Sequence, residues 1–245
     1  MRIAVVSDIH GNLAALEAVD KDLRRRGVDG TVNLGDSLSG PLLPLETAQF
    51  LMAQDWIHLA GNHERQILFP GGLRRGPSDA YAHSQLTIRE LDWIVGLEQT
   101  LAFGDEVLFC HGTPRSDTEY FLETVEHGGM RAARAEEVDA RLGDARAALV
   151  LCGHTHVPRS VRASGGCLIV NPGSVGQQAF DDDVPLRHKV ETGSPDARYA
   201  IVEFVAGEWR AALISVPYDP RYMAQLATQR DRPEWAFALL TGYLA

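Results

Sequence analysis

The chain is short of cysteine, of positive charge and of long apolar runs, and each shortage removes a class of protein. Three cysteines in 245 residues, Cys110, Cys152 and Cys167, make neither a disulfide framework nor a zinc knuckle at their spacing. Each lies in an apolar run, which predicts buried, reduced core residues. Lys and Arg number 23 against 33 Asp and Glu, a net charge of −10. That balance argues against stable nucleic-acid binding, which needs cationic side chains to displace phosphate counterions. From Met1 the sequence meets Asp8 almost at once, and no run has the length of a signal peptide or a membrane span. A cytoplasmic location with no membrane partner is the expectation. The 45% of hydrophobic residues suffice for a substantial core.

What the chain does have is a repeated local pattern: a short apolar run, then glycine together with potential metal ligands. Leu149 to Cys152 leads to Gly153-His154-Thr155-His156, and Ile3 to Ser7 leads to Asp8-Ile9-His10-Gly11-Asn12. Thr31 to Leu34 leads to Gly35-Asp36, Trp56 to Leu59 to Gly61-Asn62-His63-Glu64, and Val107 to Cys110 to His111-Gly112. In extended backbone, residues i and i+2 leave on the same side, roughly 6 to 7 Å apart at their roots. His154 and His156 can therefore each serve one of two ions about 4 Å apart by leaning inward. Any one of these residues alone has a structural explanation as a turn, a cap or a hydrogen-bonded core histidine. Their joint recurrence at strand ends, beside glycines that let the backbone come close, points instead to a shared metal site. Asp8, His10, Asp36, Asn62, His111, His154 and His156 supply seven N/O ligands, enough for two ions if one carboxylate bridges.

Around these motifs the early part alternates strands and helices. Asn12 can cap a helix with apolar positions Leu13, Leu16, Val19 and Leu23, closed by Gly27. Another helix is expected over about Leu45 to Gln54. A helical excursion follows at about 64–98, with a capping box at Thr87 and Glu90, then a hairpin about Gly104-Asp105. Two helical segments are predicted at about Thr118 to Glu126 and Ala135 to Leu142. Hairpins at Gly165-Gly166 and Gly207 frame a polar stretch, 180–197, expected to be an exposed loop, and a helical tail runs from about 219 to 245. The expectation is one domain over 1–245, an α/β (α+β) architecture of two facing mixed sheets with helices outside.

The five motifs, in this order over about residues 1 to 178, resemble those of calcineurin-like metallophosphoesterases, especially small bacterial phosphodiesterases. That family's fold is a four-layer α/β/β/α sandwich, and Asn171 to Gln177 resembles its Asn-Pro-Gly-Ser turn near the site. The resemblance places Asp8, His10 and His156 on a first metal and Asn62, His111 and His154 on a second, with Asp36 bridging. His63 matches the family's histidine facing the leaving group. The implied reaction is phosphodiester hydrolysis by in-line attack of a water-derived hydroxide held between the metals, with Asp36 and His63 as the catalytic residues. His63, with an ordinary pKa near 6.5, would protonate the departing alkoxide. Mn, Fe, Co, Ni and Zn all suit mixed imidazole–carboxylate ligation, with Mn taken first.

The expected substrate is a small phosphate ester or nucleotide. The alternatives are a dinucleoside polyphosphate or phosphomonoester hydrolase at the same site, with a protein Ser/Thr phosphatase or a non-catalytic scaffold further off. No arginine follows Asp36 and no second glycine follows Gly112, both departures from protein phosphatases, and Gln178 stands where relatives often have proline. Among the remaining polar residues, Glu64 reads as a favourable charge in a helix's first turn. Arg74 and Arg75 could grip a substrate phosphate or simply solvate a loop tip, and the loop-tip reading is taken first. Tyr120, His83 and His127 are candidates to line the cleft, His58 is expected to be structural, and His188 exposed.

Overall fold

The structure is a computed structural model that describes residues 1–69 and 75–245. Arg74 therefore lies outside the described residues. The chain opens with β1 (Arg2–Val6), α1 (Leu13–Arg26), β2 (Gly30–Asn33), α2 (Pro44–Met52) and β3 (Ile57–His58). Three helices follow, α3 (Asn62–Leu68), α4 (Pro77–Gln85) and α5 (Ile88–Val95). Next come β4 (Thr100–Phe103), β5 (Val107–Cys110), β6 (Glu123–Glu126), β7 (Gly129–Ala132), α6 (Ala135–Leu142) and β8 (Leu149–Leu151). The chain ends with β9 (Arg159–Arg162), β10 (Leu168–Asn171), β11 (Ala179–Asp182), β12 (His188–Glu191), β13 (Ala197–Val205), β14 (Glu208–Val216), α7 (Arg221–Gln229) and α8 (Pro233–Thr241).

Two five-stranded mixed sheets form the centre, ordered β14-β13-β1-β2-β3 and β4-β5-β8-β10-β9. Strand alternation explains how each is packed. In β1, Val5 faces the other sheet while Ala4 and Val6 face α1; in β8, Leu149 and Leu151 face inward while Val150 packs outward with Val138 of α6. Each central strand is thus covered on both sides, which is why these segments read as unbroken apolar runs. At α1, the Asn12 side chain accepts from Ala15 N at 3.2 Å, and Gly27 closes the helix at φ 62°. Burying one such Leu or Val side chain stabilises by about 1.5–3 kcal/mol, so the inter-sheet layer is the main reason the two sheets stay together.

Three expectations fail. The helix expected over about Thr118 to Glu126 is absent: residues 118–122 are irregular, and Glu123–Glu126 form a strand paired antiparallel with β7. Thr124 and Val125 are β-branched and His127-Gly128 makes the turn, signals that outweigh the spacing of Phe121, Leu122 and Val125. The polar stretch 180–197 contains the antiparallel pair β11–β12, in which the buried Val190 and His188 share one face with Phe180 and Asp182. His188, expected to be exposed, is 3% exposed, and its Nε2 is 2.9 Å from the Tyr120 hydroxyl.

Candidate functional site

The ligand-bearing loops meet because parallel strands end together. In the first sheet β1, β2 and β3 run parallel, so Asp8, Asp36 and Asn62 leave from their carboxyl ends at one edge. In the second, β5 and β8 run parallel and deliver His111, His154 and His156. Hydrogen bonds between loops then lock them: Asp8 N donates to Gly35 O and His10 N to Asp36 O, both at 3.0 Å, and His154 N donates to Asp8 Oδ2 at 3.2 Å. Asp8, His10, Asp36, His154 and His156 all adopt left-handed backbone, φ between 52° and 70°. That conformation is uncommon for side-chain-bearing residues and persists only where the surroundings over-determine it. Gly61 has no room for a side chain, since a Cβ there would strike the Asp36 carboxylate.

Two ligand groups result. Asp8, His10 and His156 present atoms all within 4.8 Å of one another, and so do Asp36, His111 and His154. The groups abut: His111 Nε2 is 3.0 Å from Asp36 Oδ2 and 3.9 Å from Asp8 Oδ1. Backbone carbonyls set the imidazoles. Nδ1 of His10 donates to Ser39 O at 2.7 Å, Nδ1 of His156 to Gln177 O at 2.7 Å, and Nδ1 of His111 to Leu34 O at 2.9 Å. Each therefore turns its Nε2 inward, while His154, with Nε2 3.1 Å from Thr118 O, turns Nδ1 inward. Asp8 Oδ1 and Asn62 Oδ1 are buried with no hydrogen-bond partner among the described residues. Buried acceptors left unpaired cost about 1–3 kcal/mol each, so the cluster is unbalanced without cations, and its N/O donors fit divalent transition metals.

The charges agree. Burial, with the neighbouring His156, pushes His10 down to about 3, and burial beside His111 pushes His154 down to about 4, so both are neutral at pH 7. Burial pulls His111 down as well, but the charges of Asp36 and Asp8 outweigh it and raise the group to about 10. A proton on His111 then balances carboxylates that a metal ion would otherwise neutralise.

Beside the cluster, His63 Nδ1 donates to Asp79 Oδ1 at 2.7 Å, and His63 N donates to Asp36 Oδ1 at 2.9 Å. Burial lowers the His63 pKa, but the Asp36 charge and the Asp79 hydrogen bond override it, holding the ring at about 9. Asp79 was not legible as a site residue, because an acidic residue near a helix start already has a local explanation. Glu64 does more than supply helix charge. Fully buried, its carboxylate accepts from Asp36 N at 2.7 Å and from Ser37 N and Gly61 N at 2.8 Å, tying two ligand loops together.

The cluster opens into a cavity of about 1010 Å³ whose lining includes His10, Asp36, Asn62, His63, His154 and His156. Tyr120 lines it, its ring 5.1 Å from that of His154, and Arg75 lines it as well. His83 and His127 do not. His58 packs against Trp56 and Trp93 in a structural setting. The cysteines are buried and unpaired. No helix of the described residues is long and apolar enough to cross a membrane.

Comparison with known proteins gives the same picture. The family model of the calcineurin-like phosphoesterase superfamily domain matches residues 1–193. A metallophosphoesterase from Sphaerobacter thermophilus superposes with a TM-score of 0.76 at 27% identity, covering 99% of both chains. A hypothetical protein from Pyrococcus horikoshii shares the fold, with a TM-score of 0.74 at 18% identity over 100% of this chain and 99% of that one. An uncharacterised protein of Methanocaldococcus jannaschii is 26% identical over 95% of this chain and 94% of its own length.

Proposed function

Because the chain belongs to the calcineurin-like phosphoesterase superfamily, we propose that it is a dinuclear metal-dependent phosphodiesterase acting on a small phosphodiester or nucleotide. The observation that carries the reading is the pair of abutting ligand groups, Asp8-His10-His156 and Asp36-His111-His154, opening on one cavity with the His63–Asp79 pair. Asp8, His10 and His156 would hold one ion, and His111, His154 and Asn62 the other, with Asp36 placed beside both groups. Bound there, two divalent ions supply Lewis acidity: they acidify water and offset the negative charge that builds in an in-line displacement at phosphorus.

The chain's own residues do the rest. Ser39, Gln177, Leu34 and Thr118 hold the ligand imidazoles through their carbonyls, so the ring nitrogens are aimed before any ion arrives. Glu64 keeps the Asp36 loop in register with Gly61 through its accepted N–H bonds. Asp79 fixes the His63 tautomer with Nδ1 protonated, which leaves Nε2 as the atom that passes a proton to the leaving oxygen. The experiment is a metal-by-substrate matrix on protein stripped of metal, with bis(p-nitrophenyl) phosphate, a phosphomonoester and a dinucleoside polyphosphate. Restoration of diesterase activity by Mn²⁺ or another transition ion is expected; inactivity toward every ester with every ion would overturn the proposal.

A further inference from the structure

We infer that the site has a second anion-binding position on the His63 side, built by Arg232 and Arg75, which takes a phosphate group carried by the leaving group of the substrate. The inference rests on the phosphoesterase reading and adds the class of leaving group to it. The cavity, about 1010 Å³, is at the top of the range for small-molecule sites and far larger than a phosphoryl group needs. Among the lining residues are the acids Glu119, Asp181 and Asp182 and the bases Arg75, Arg141 and Arg232, with Ser78 bonded to Arg232.

Short contacts place Arg232 beside the proton donor. Its Nη1 donates to Ser78 Oγ at 3.2 Å, and Ser78 immediately precedes Asp79, whose Oδ1 holds His63 at 2.7 Å. Its guanidinium also lies 5.6 Å from the centre of the Trp235 ring, which is 6.1 Å from that of His10, itself 5.5 Å from His63. Glu234 accepts from Arg232 Nε at 2.5 Å and so orients the fork. Arg75 is anchored at the end of α3, the helix that begins at Asn62 and His63, with Nε donating to Ile67 O at 2.8 Å and Nη2 to Leu68 O at 3.4 Å. Nη2 of Arg232 and Nη1 of Arg75 have no hydrogen-bond partner among the described residues. Two anchored guanidiniums with unspent donors are suited to a phosphate, because the planar fork matches its oxygens. A group leaving toward His63 with a phosphate attached enters the part of the cavity where Ser78, bonded to Arg232, adjoins Asp79, with Arg75 three residues before Ser78. Arg75 lies within the family-matched residues 1–193 and Arg232, immediately before α8, beyond them.

The test compares the dinucleotides ApA and ApAp, which differ only in a terminal phosphate on the leaving nucleoside. The metal-loaded enzyme is expected to prefer ApAp over ApA about tenfold in kcat/KM, and the ratio should fall to near one in Arg232→Gln and in Arg75→Gln. Binding is read separately by calorimetry on metal-free protein, where ADP should bind about tenfold more tightly than adenosine and lose that margin in Arg232→Gln. Because Arg75 also holds the end of α3, Arg75→Lys and a thermal melt accompany it, and partial recovery of the ratio by Lys is expected. A wild-type ratio at or below one, or a ratio unaltered in both Gln variants, would overturn the second position alone. Failure on bis(p-nitrophenyl) phosphate as well would overturn the underlying phosphoesterase reading.

Discussion

His63 and Asp79 are the residues at which the proposed proton transfer can be tested directly. His63→Ala is expected to keep its metal content by elemental analysis while losing about 10²- to 10⁴-fold in kcat on an alkyl diester, and much less on a p-nitrophenyl ester, whose leaving group needs no proton. Asp79→Asn should follow the same leaving-group pattern with a smaller loss, because the ring survives but its tautomer is no longer fixed. Equal losses on both esters would point to a structural role for the pair. The ligand candidates could be singled out in the sequence because each stands at the end of an apolar run and nearly every one has a glycine beside it. Asp79 and the carbonyls of Ser39, Gln177 and Thr118 could not. Their roles depend on which distant loop lies opposite, and no local signal records that.

At the scale of elements, α1 is fastened to the first sheet through one buried carboxylate. Asp22 accepts from the Tyr199 hydroxyl of β13 at 2.7 Å and pairs with Arg25 and Arg26 at 2.8 and 2.6 Å. Burial raises its pKa, but these hydrogen bonds outweigh it and leave the group below its usual value. A depressed folded-state pKa gives stability that is present above the unfolded value, about 3.9, and is lost as pH falls through the folded one. Asp22→Asn should therefore lower Tm at pH 7, and the gap to the wild type should narrow below about pH 4; a constant gap would contradict the ion pairing. Elements with one dominant period, such as α1, β8 and the β13–β14 hairpin, were readable directly. The β6–β7 and β11–β12 hairpins were not. Thr118 to Glu126 carries apolar residues at both helical and strand spacing, and Asp181-Asp182-Asp183 masks a strand whose Phe180 pairs with the buried Val190.

For the molecule as a whole, the ligand cluster couples metal binding to stability. Ions that bind only the folded chain add RT ln(1 + [L]/Kd), about 2.7 kcal/mol at a hundredfold excess over Kd. For a chain of this size that corresponds to roughly 5–10 °C in Tm, so treatment with a chelator should lower the melting temperature by that order and restored metal should recover it. An unchanged melt would mean that the buried Asp and His groups are balanced without cations. The two-sheet architecture was legible from βα alternation followed by hairpins, whereas the strand order was not. Nothing local in Arg2–Val6 says that its partner on one side is β13, whose residue Glu203 pairs with Arg2 across 201 positions.

That pairing has a consequence for synthesis. The segment that carries Asp8 and His10 sits between β2, made soon after it, and β13, which begins only at Ala197. A nascent chain can hold all of its metal ligands and still present one side of its first strand to whatever else is nearby. A chain cut after residue 193 should accordingly aggregate and melt without cooperativity, although it retains the whole family-matched region. The last strands translated thus shelter the first, and until they emerge the newborn polypeptide depends on chaperoning or on dilution.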